Sequence, residues 1–279
     1  MTKMNKLDQF YTQDEVAKHC ISVVQKLYGN DYFMIEPSAG DGVFLKYLKQ
    51  YAAYDIEPKN DNIKKLDYLK EDLDFLNKDK NIVIGNPPFG KKAKLAIEFI
   101  NKSFKYSNIV AFILPIQFLK YSAQKNINKK AKLIYSELLN PNSFRVNGKN
   151  YSVRCCFQIW VLNDESKPNY RILESPPIKH NDFEMWQYNN TETALKYFNK
   201  EKYEWDFAVP RQGYKDYTVK ETNPDNMDRK TQWIFFKASN EIILERLKNI
   251  DFPKLSKNNT STPGFGKADV VKEYMTIYN

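Results

Sequence analysis

Two uninterrupted apolar runs, Ile82 to Gly85 and Ile109 to Leu114, bracket a segment of helical periodicity from Ala93 to Phe104. No other feature constrains the fold as strongly. Short runs that are apolar at every position have both faces covered, as strands inside a parallel sheet do. Between them Leu95, Ile97, Phe99 and Ile100 mark an amphipathic helix, so the three pieces read as strand, helix, strand. The same rhythm runs upstream. Tyr32 to Ile35 is apolar and ends at Glu36; Ala52-Ala53-Tyr54 is apolar and ends at Asp55. The turn Pro37-Ser38-Ala39-Gly40-Asp41-Gly42 and a predicted helix from Val43 to Lys49 lie between them. Thr12-Gln13-Asp14-Glu15 has the capping-box pattern, and Val16, Cys20, Val23, Val24 and Leu27 follow at helical spacing up to Gly29. Alternating strands and helices of this kind build a doubly wound parallel sheet.

After the fifth strand, Lys132 to Leu139 and Val153 to Leu162 read as two strands joined by a loop containing Asn147-Gly148. They are close enough in sequence to pair antiparallel. The polar stretch Asn163-Asp164-Glu165-Ser166-Lys167-Pro168 then marks an expected boundary between residues 1–163 and 164–279. Beyond it the rhythm is lost and short mixed segments follow: Tyr170 to Leu173, Phe183 to Tyr188, Phe207 to Val209 and Trp233 to Phe236, with helices near Thr191 to Phe198 and Asn240 to Leu247.

Composition narrows the function classes. A net charge of +9 favours a polyanionic partner, although such a balance speaks to association and not to fold. No run of 18 apolar residues exists, so no spanning helix is expected. The polar N-terminus is unlike a secretory signal, and a cytoplasmic protein is expected. Three cysteines, Cys20, Cys155 and Cys156, make no disulfide framework, and with two histidines no metal site is expected. Only nine glycines occur, and six of them form the pairs Gly40/Gly42, Gly85/Gly90 and Gly264/Gly266. In so glycine-poor a chain these mark places where backbone shape is specified.

The chemistry concentrates in Asn86-Pro87-Pro88-Phe89, directly after the strand ending at Gly85. A planar amine is a poor nucleophile because its lone pair is delocalised. An Asn side-chain oxygen and the carbonyl of the next Pro can accept both amine hydrogens and draw the nitrogen toward tetrahedral geometry. Consecutive prolines fix φ and remove N–H donors that compete locally. Phe89 offers a stacking face. Upstream, Glu36 ends a strand before the glycine turn, where its charge can meet a cationic amino group, and glycines let the backbone approach a ligand. Asp55 ends the next strand, the usual place for a carboxylate that grips ribose hydroxyls.

The order Leu7-Asp8-Gln9-Phe10-Tyr11-Thr12, Glu36 to Gly42, Asp55-Ile56-Glu57-Pro58 and Asn86 to Phe89 resembles the S-adenosylmethionine-dependent N6-adenine DNA methyltransferases, gamma class, over about residues 7–162. The two strands after the fifth match the methyltransferase variant of the sheet. The resemblance implies an α/β fold: a Rossmann-like seven-stranded methyltransferase sheet followed by a smaller, mixed α+β region that recognises the target. It implies S-adenosylmethionine as cofactor. Phe10, Tyr11 and Thr12 would border its methionine end, Glu36 would sit near its amino group, Gly40 and Gly42 would make room, and Asp55 would bind the ribose. Asp67, with Tyr68 beside the ring, would hold its adenine; Asp74-Phe75-Leu76 is a rival for that role. Asn86 and the Pro87 carbonyl would take the target amine. Phe89 would stack on a base flipped out of the duplex, since a stacked base is out of reach, and Phe144 is nominated for the opposite face. Family members more often carry Tyr where Phe89 stands, which removes a hydroxyl and keeps the face.

Two C-terminal loops, Pro210 to Lys215 and Asn258 to Lys267, are rich in residue types that meet phosphates and base edges. Arg211, Lys215 and Lys267 are the candidate DNA contacts there. Lys91 is another, beside the catalytic turn with Lys92 and Lys94. All of these residues also suit solvated turns. The expected protein is a monomeric, site-specific adenine methyltransferase of the kind found in restriction-modification. RNA-base or protein-glutamine methylation, or a catalytically silent nucleic-acid-binding protein, stand as alternatives.

Overall fold

The structure is a computed structural model that describes residues 10–74, 78–146, 148–257 and 262–278. The chain divides into two compact units between Leu173 and Glu174.

The first unit is built on a seven-stranded sheet. Its strands are β2 (Phe33–Glu36), β3 (Tyr51–Asp55), β4 (Lys64–Lys65), β5 (Asn81–Gly85), β6 (Ile109–Pro115), β7 (Lys132–Leu138) and β10 (Cys155–Val161). In space they run β4-β3-β2-β5-β6-β10-β7. The first five are mutually parallel. β10 is antiparallel to both β6 and β7. This is the Rossmann-like methyltransferase sheet that the sequence led us to expect. β5 and β6 are buried at every position because apolar layers cover both sheet faces. One layer gathers Val83, Val110, Phe112 and Trp160 with Phe99 and Ile100 of helix α2 (Lys94–Ser103). The other gathers Ile82, Ile84, Ile113 and Phe157 with Ala17, Cys20 and Val24 of helix α1 (Asp14–Tyr28).

Three local readings are corrected. Thr12 does not cap α1: it is buried in the short strand β1 (Tyr11–Thr12), and Gln13 stands at the helix start without a side-chain cap. The helix expected over 43–49 is a single turn of 3-10 helix, Phe44–Tyr47, because the chain is already extended at Leu48. The connection from β7 to β10 is a hairpin, β8 (Phe144–Val146) and β9 (Lys149–Tyr151), rather than a plain loop. β8 pairs with both β1 and β9, so the N-terminal strand is sewn onto this hairpin. Asn147 lies outside the described residues.

The second unit carries an antiparallel sheet of β11 (Phe183–Tyr188), β12 (Phe207–Gln212) and β13 (Gln232–Ala238), in the order β11-β13-β12. Phe207 stacks on Phe236 at 4.9 Å in a core shared with the helices Glu241–Lys248 and Lys267–Tyr278. Asn240 and Asp251 cap the helices that follow them, each accepting a backbone N–H.

The division at Leu173/Glu174 lies beyond the expected one at 163/164, and Arg171 supplies the reason. Its guanidinium donates to the carbonyls of Asn128 (2.7 Å), Ala131 (3.0 Å), Gln124 (2.8 Å) and Ile127 (2.8 Å). Tyr170 N–H donates to the Leu133 carbonyl at 2.8 Å. These bonds strap the segment onto the first unit. Arg171→Ala leaves four carbonyls without this donor, and a loss of about 2–4 kcal/mol is expected in denaturant titration of the full chain. Arg171→Lys should recover little, because a single ammonium with three donors does not reproduce a planar fork.

Candidate active site

Parallel strands that enter a sheet side by side also leave it side by side, and ligands bind outside their carboxyl ends. Here Glu36 ends β2, Asp55 ends β3, Asp67 follows β4, and Asn86 follows β5. Four polar side chains thus leave neighbouring strands at one rim. β2 pairs directly with β5, which brings Glu36 and Asn86 to adjacent strand ends.

Glu36 is 1 % exposed, and its Oε2 has no hydrogen-bond partner. Its carboxyl crosses over Gly85, where φ is +149° and a Cβ would lie 3.2 Å from Glu36 Cγ. The backbone there favours glycine, and a side chain would also press on the Glu36 stem. Burial, and then the charges of Asp41 and Asp55, push the Glu36 carboxyl well above the usual carboxylate range. A buried, unpaired carboxylate is costly, so this group calls for a cation.

The glycine turn is fastened by Asp55. Its Oδ2 accepts Gly40 N–H at 2.7 Å, and its Oδ1 accepts Glu57 N–H at 2.8 Å. Gly40 has φ +55°, and a Cβ there would meet the Tyr11 ring at 3.3 Å. Gly42 takes φ +81°. Phe10 and Tyr11 are consecutive in an extended segment and so face opposite ways. Tyr11 lies against Gly40, while Phe10 stacks on Phe89 at 6.0 Å.

Asn86 is held in one orientation. Its Nδ2 donates to the Phe10 carbonyl at 2.9 Å, which leaves Oδ1 as a buried acceptor without a partner. Its own carbonyl accepts the Ser38 hydroxyl at 3.3 Å. Pro87 is buried and Phe89 is 7 % exposed. The structure therefore brings Phe10, Tyr11, Glu36, Gly40, Asp55, Asn86 and Phe89 together. Ser38 and Tyr151 join them unforeseen: nothing in the sequence linked Ser38 to the turn at 86, and Tyr151 was hidden in an unrecognised hairpin.

Four expected roles do not fit. Tyr68 is 2 % exposed, stacks on Phe99 at 5.3 Å and bonds the Ser103 hydroxyl at 3.0 Å, so it belongs to the core and offers no face to a ligand. Phe144 is fully buried and meets Phe10 edge-on at 6.4 Å, which leaves it no open stacking face. Arg211 donates to Phe265 O (3.0 Å), Asn189 Oδ1 (2.8 Å) and Gln232 Oε1 (2.6 Å), a cross-brace within the second unit. Lys267 donates to the Met185 carbonyl at 2.6 Å, and burial lowers its ammonium pKa. Thr12, buried, supports the site only through its strand. Asp67 remains at the rim, where its hydrogen bond to Lys70 holds its carboxyl below the usual range. Phe75 and Leu76 of the rival motif lie outside the described residues. Lys91 and Lys215 are exposed. The two C-terminal loops do meet, through Gly213 N–H to Pro263 O (3.1 Å) and Phe265 N–H to Arg211 O (2.9 Å). Residues 258–261 lie outside the described residues.

Among the described residues no group of three or more His, Cys, Asp or Glu is placed to hold a metal ion, and no helix is long and apolar enough to cross a membrane.

Residues 42–160 match the family model described as the EDM2 methyltransferase-like domain. No curated protein matches the chain significantly. Among solved structures, the M protein of the type I restriction enzyme EcoKI is similar at 13 % identity over 98 % of this chain and 71 % of that one, with a TM-score of 0.44. The type I restriction-modification methyltransferase subunit from Streptococcus thermophilus is similar at 18 % identity over 56 % of this chain and 45 % of that one, with a TM-score of 0.43. The N-methyltransferase NodS from Bradyrhizobium japonicum, in complex with S-adenosyl-L-homocysteine, is similar at 9 % identity over 54 % of this chain and 87 % of that one, with a TM-score of 0.39. Likeness at this level concerns the general fold and says nothing of substrate. The family match runs from Gly42 through the turn at 86–89 to the last strands of the sheet.

Glu36 gives a test that needs no ligand. A carboxyl whose pKa is higher in the folded than in the unfolded chain stabilises the fold below its unfolded value, and that contribution is lost as pH rises through the folded value. Glu36→Gln, which cannot ionise, should therefore melt higher than the parent protein, with a gap that widens from pH 5 to pH 8. An equal gap at both ends of that range would mean that Glu36 does not titrate as its burial requires.

Proposed function

We propose that the protein transfers the methyl group of S-adenosylmethionine to an exocyclic amine of a nucleobase, and that the target is N6 of adenine in DNA. One observation carries the reading. Asn86 presents a buried acceptor with no partner, its amide oriented by the Phe10 carbonyl, in a proline-flanked turn beside an equally unpartnered buried carboxyl. An acceptor left bare in a buried place costs stability, and the cost makes sense if a ligand N–H completes it.

The cofactor site fits by the same logic. S-adenosylmethionine is the cofactor that this fold takes, and it supplies an activated methyl on a sulfonium. Glu36 Oε2 suits its cationic amino group, the turn at Gly40 and Gly42 admits close approach, Tyr11 borders the turn, and Asp55 and Asp67 stand at the next two strand ends for hydroxyl and amine donors. The chain's own groups do the remaining work. Asn86 Oδ1 and the Pro87 carbonyl accept the two amine hydrogens, which concentrates electron density on the nitrogen. Phe89 orients the ring. Positioning alone accounts for much of the acceleration in such a transfer. The second unit would read the target sequence with Lys215 among its phosphate contacts, Lys91 of the first unit would hold the backbone beside the turn at 86–89, and the protein would act as a monomer.

Asn86→Ala should lower methyl transfer by at least roughly 100-fold, the scale on which one pre-aimed polar group acts in a dry site. Calorimetry with S-adenosylhomocysteine should show cofactor affinity changed only slightly. Labelled methyl donor offered with separate DNA, RNA and protein pools should yield 6-methyldeoxyadenosine from the DNA pool. Label in RNA or in glutamine would move the substrate class. No label anywhere would leave a binding protein that kept the fold.

A further inference from the structure

The place beside Asn86 already holds a ring, and it is the protein's own. Phe10 lies nearly parallel to Phe89, with centroids 6.0 Å apart and planes 29° apart. It lies nearly parallel to Tyr151 as well, at 5.3 Å and 24°. Both separations fall within the range of offset stacking, roughly 4.5–7 Å. Phe144 meets the same ring edge-on at 6.4 Å. Phe10 is thus the ring that joins the Phe89 face to the Tyr151 face, next to the one side-chain acceptor of the turn. Tyr151 is 45 % exposed, so the assembly reaches solvent at that end.

The geometry points to Phe10 as an internal occupant of the substrate-ring site. In this arrangement a planar, uncharged heteroaromatic ring bearing an exocyclic amine replaces the Phe10 ring, and Phe89 and Tyr151 are the two stacking faces. The inference rests on the nucleobase reading given above and deepens it. The exchange is a local one. Phe10 precedes β1, whose paired residues are Tyr11 and Thr12, so its ring can turn aside while the strand stays on β8. Near-parallel stacking is lost with one ring and regained with another. The carbonyl that orients Asn86 belongs to the Phe10 backbone, so ring and acceptor are governed from one residue. A flexible primary amide has no ring with which to replace the stacking it displaces. The occupant therefore selects for aromatic amines. Tyr151 takes the role that the sequence reading gave to Phe144.

The test is binding of 2′-deoxyadenosine to the full chain by calorimetry, with S-adenosylhomocysteine present and acetylglutamine amide as the control ligand. Phe10→Ala removes the ring and keeps the backbone carbonyl. It should bind deoxyadenosine roughly tenfold more tightly than the parent, as expected when the open form is about a tenth populated. Phe10→Leu, which keeps apolar bulk for folding, should show a smaller gain. Adding Tyr151→Ala to Phe10→Ala should cancel the gain, and the glutamine control should not respond to any of the changes. Unchanged or weaker deoxyadenosine binding in folded Phe10→Ala or Phe10→Leu overturns the inference, since Phe10 is then a fixed wall. Tighter binding without label in any nucleic-acid pool would defeat the methyltransferase reading and leave the ring site standing. Labelled DNA without the gain in binding would defeat the ring site alone.

Discussion

Everything at the candidate site depends on the parallel pairing of β2 with β5. Met34 lies opposite Ile82 and Ile35 opposite Val83, so the two strands run out together: Glu36 ends one, and Ile84 and Gly85 carry the other to Asn86. The side chain of Glu36 then has to pass across the neighbouring strand end. It can do so because position 85 has no Cβ and adopts a φ that other residues rarely take. A carboxyl and an amide that are 50 positions apart in the chain become neighbours through a backbone ladder, not through attraction for each other. The cost of leaving both partly unsatisfied falls on the rest of the sheet, whose central strands are buried throughout.

The N-terminal strand completes this arrangement by alternation. Two successive residues of an extended chain face opposite sides, so Tyr11 reaches the glycine turn while Phe10 reaches Phe89. The strand is held in place by a hairpin inserted between β7 and β10. One short segment therefore touches the glycine turn, the Asn86 amide and the aromatic stack. This arrangement ties the order of the glycine turn and the Asn86 corner to a few backbone hydrogen bonds, among them Gln13 N–H to Ser143 O at 2.9 Å.

Much of the architecture was legible because it rests on local pattern. Continuous apolar runs announce buried strands, and polar residues at their ends announce a rim. Strand β4 escaped notice: Lys64 and Lys65 are exposed, and a two-residue edge strand leaves no periodicity. The hairpin β8–β9 escaped for a related reason, since Lys149, Asn150 and Tyr151 are all exposed and read as loop. Misassigned side chains share another cause. Tyr68, Phe144, Arg211 and Lys267 belong to residue types that serve equally well in a core or at a ligand, and sequence spacing does not say which neighbours claim them first. Arg211 and Lys267 found carbonyl and amide oxygens within their own unit, where an internal acceptor costs no chain entropy beyond that already lost in folding.

The amino-acid sequence by itself determined the sheet, the glycine turn and the Asn-Pro-Pro-Phe corner, because each depends on residues near one another in the chain. Only the tertiary structure decided which atom of Asn86 is free, that Glu36 lacks a partner, and that Phe10 rather than solvent lies against Phe89. Those facts arise from contacts across 49 to 79 positions. Such contacts exist only after the strands have been laid side by side, so no local pattern records them.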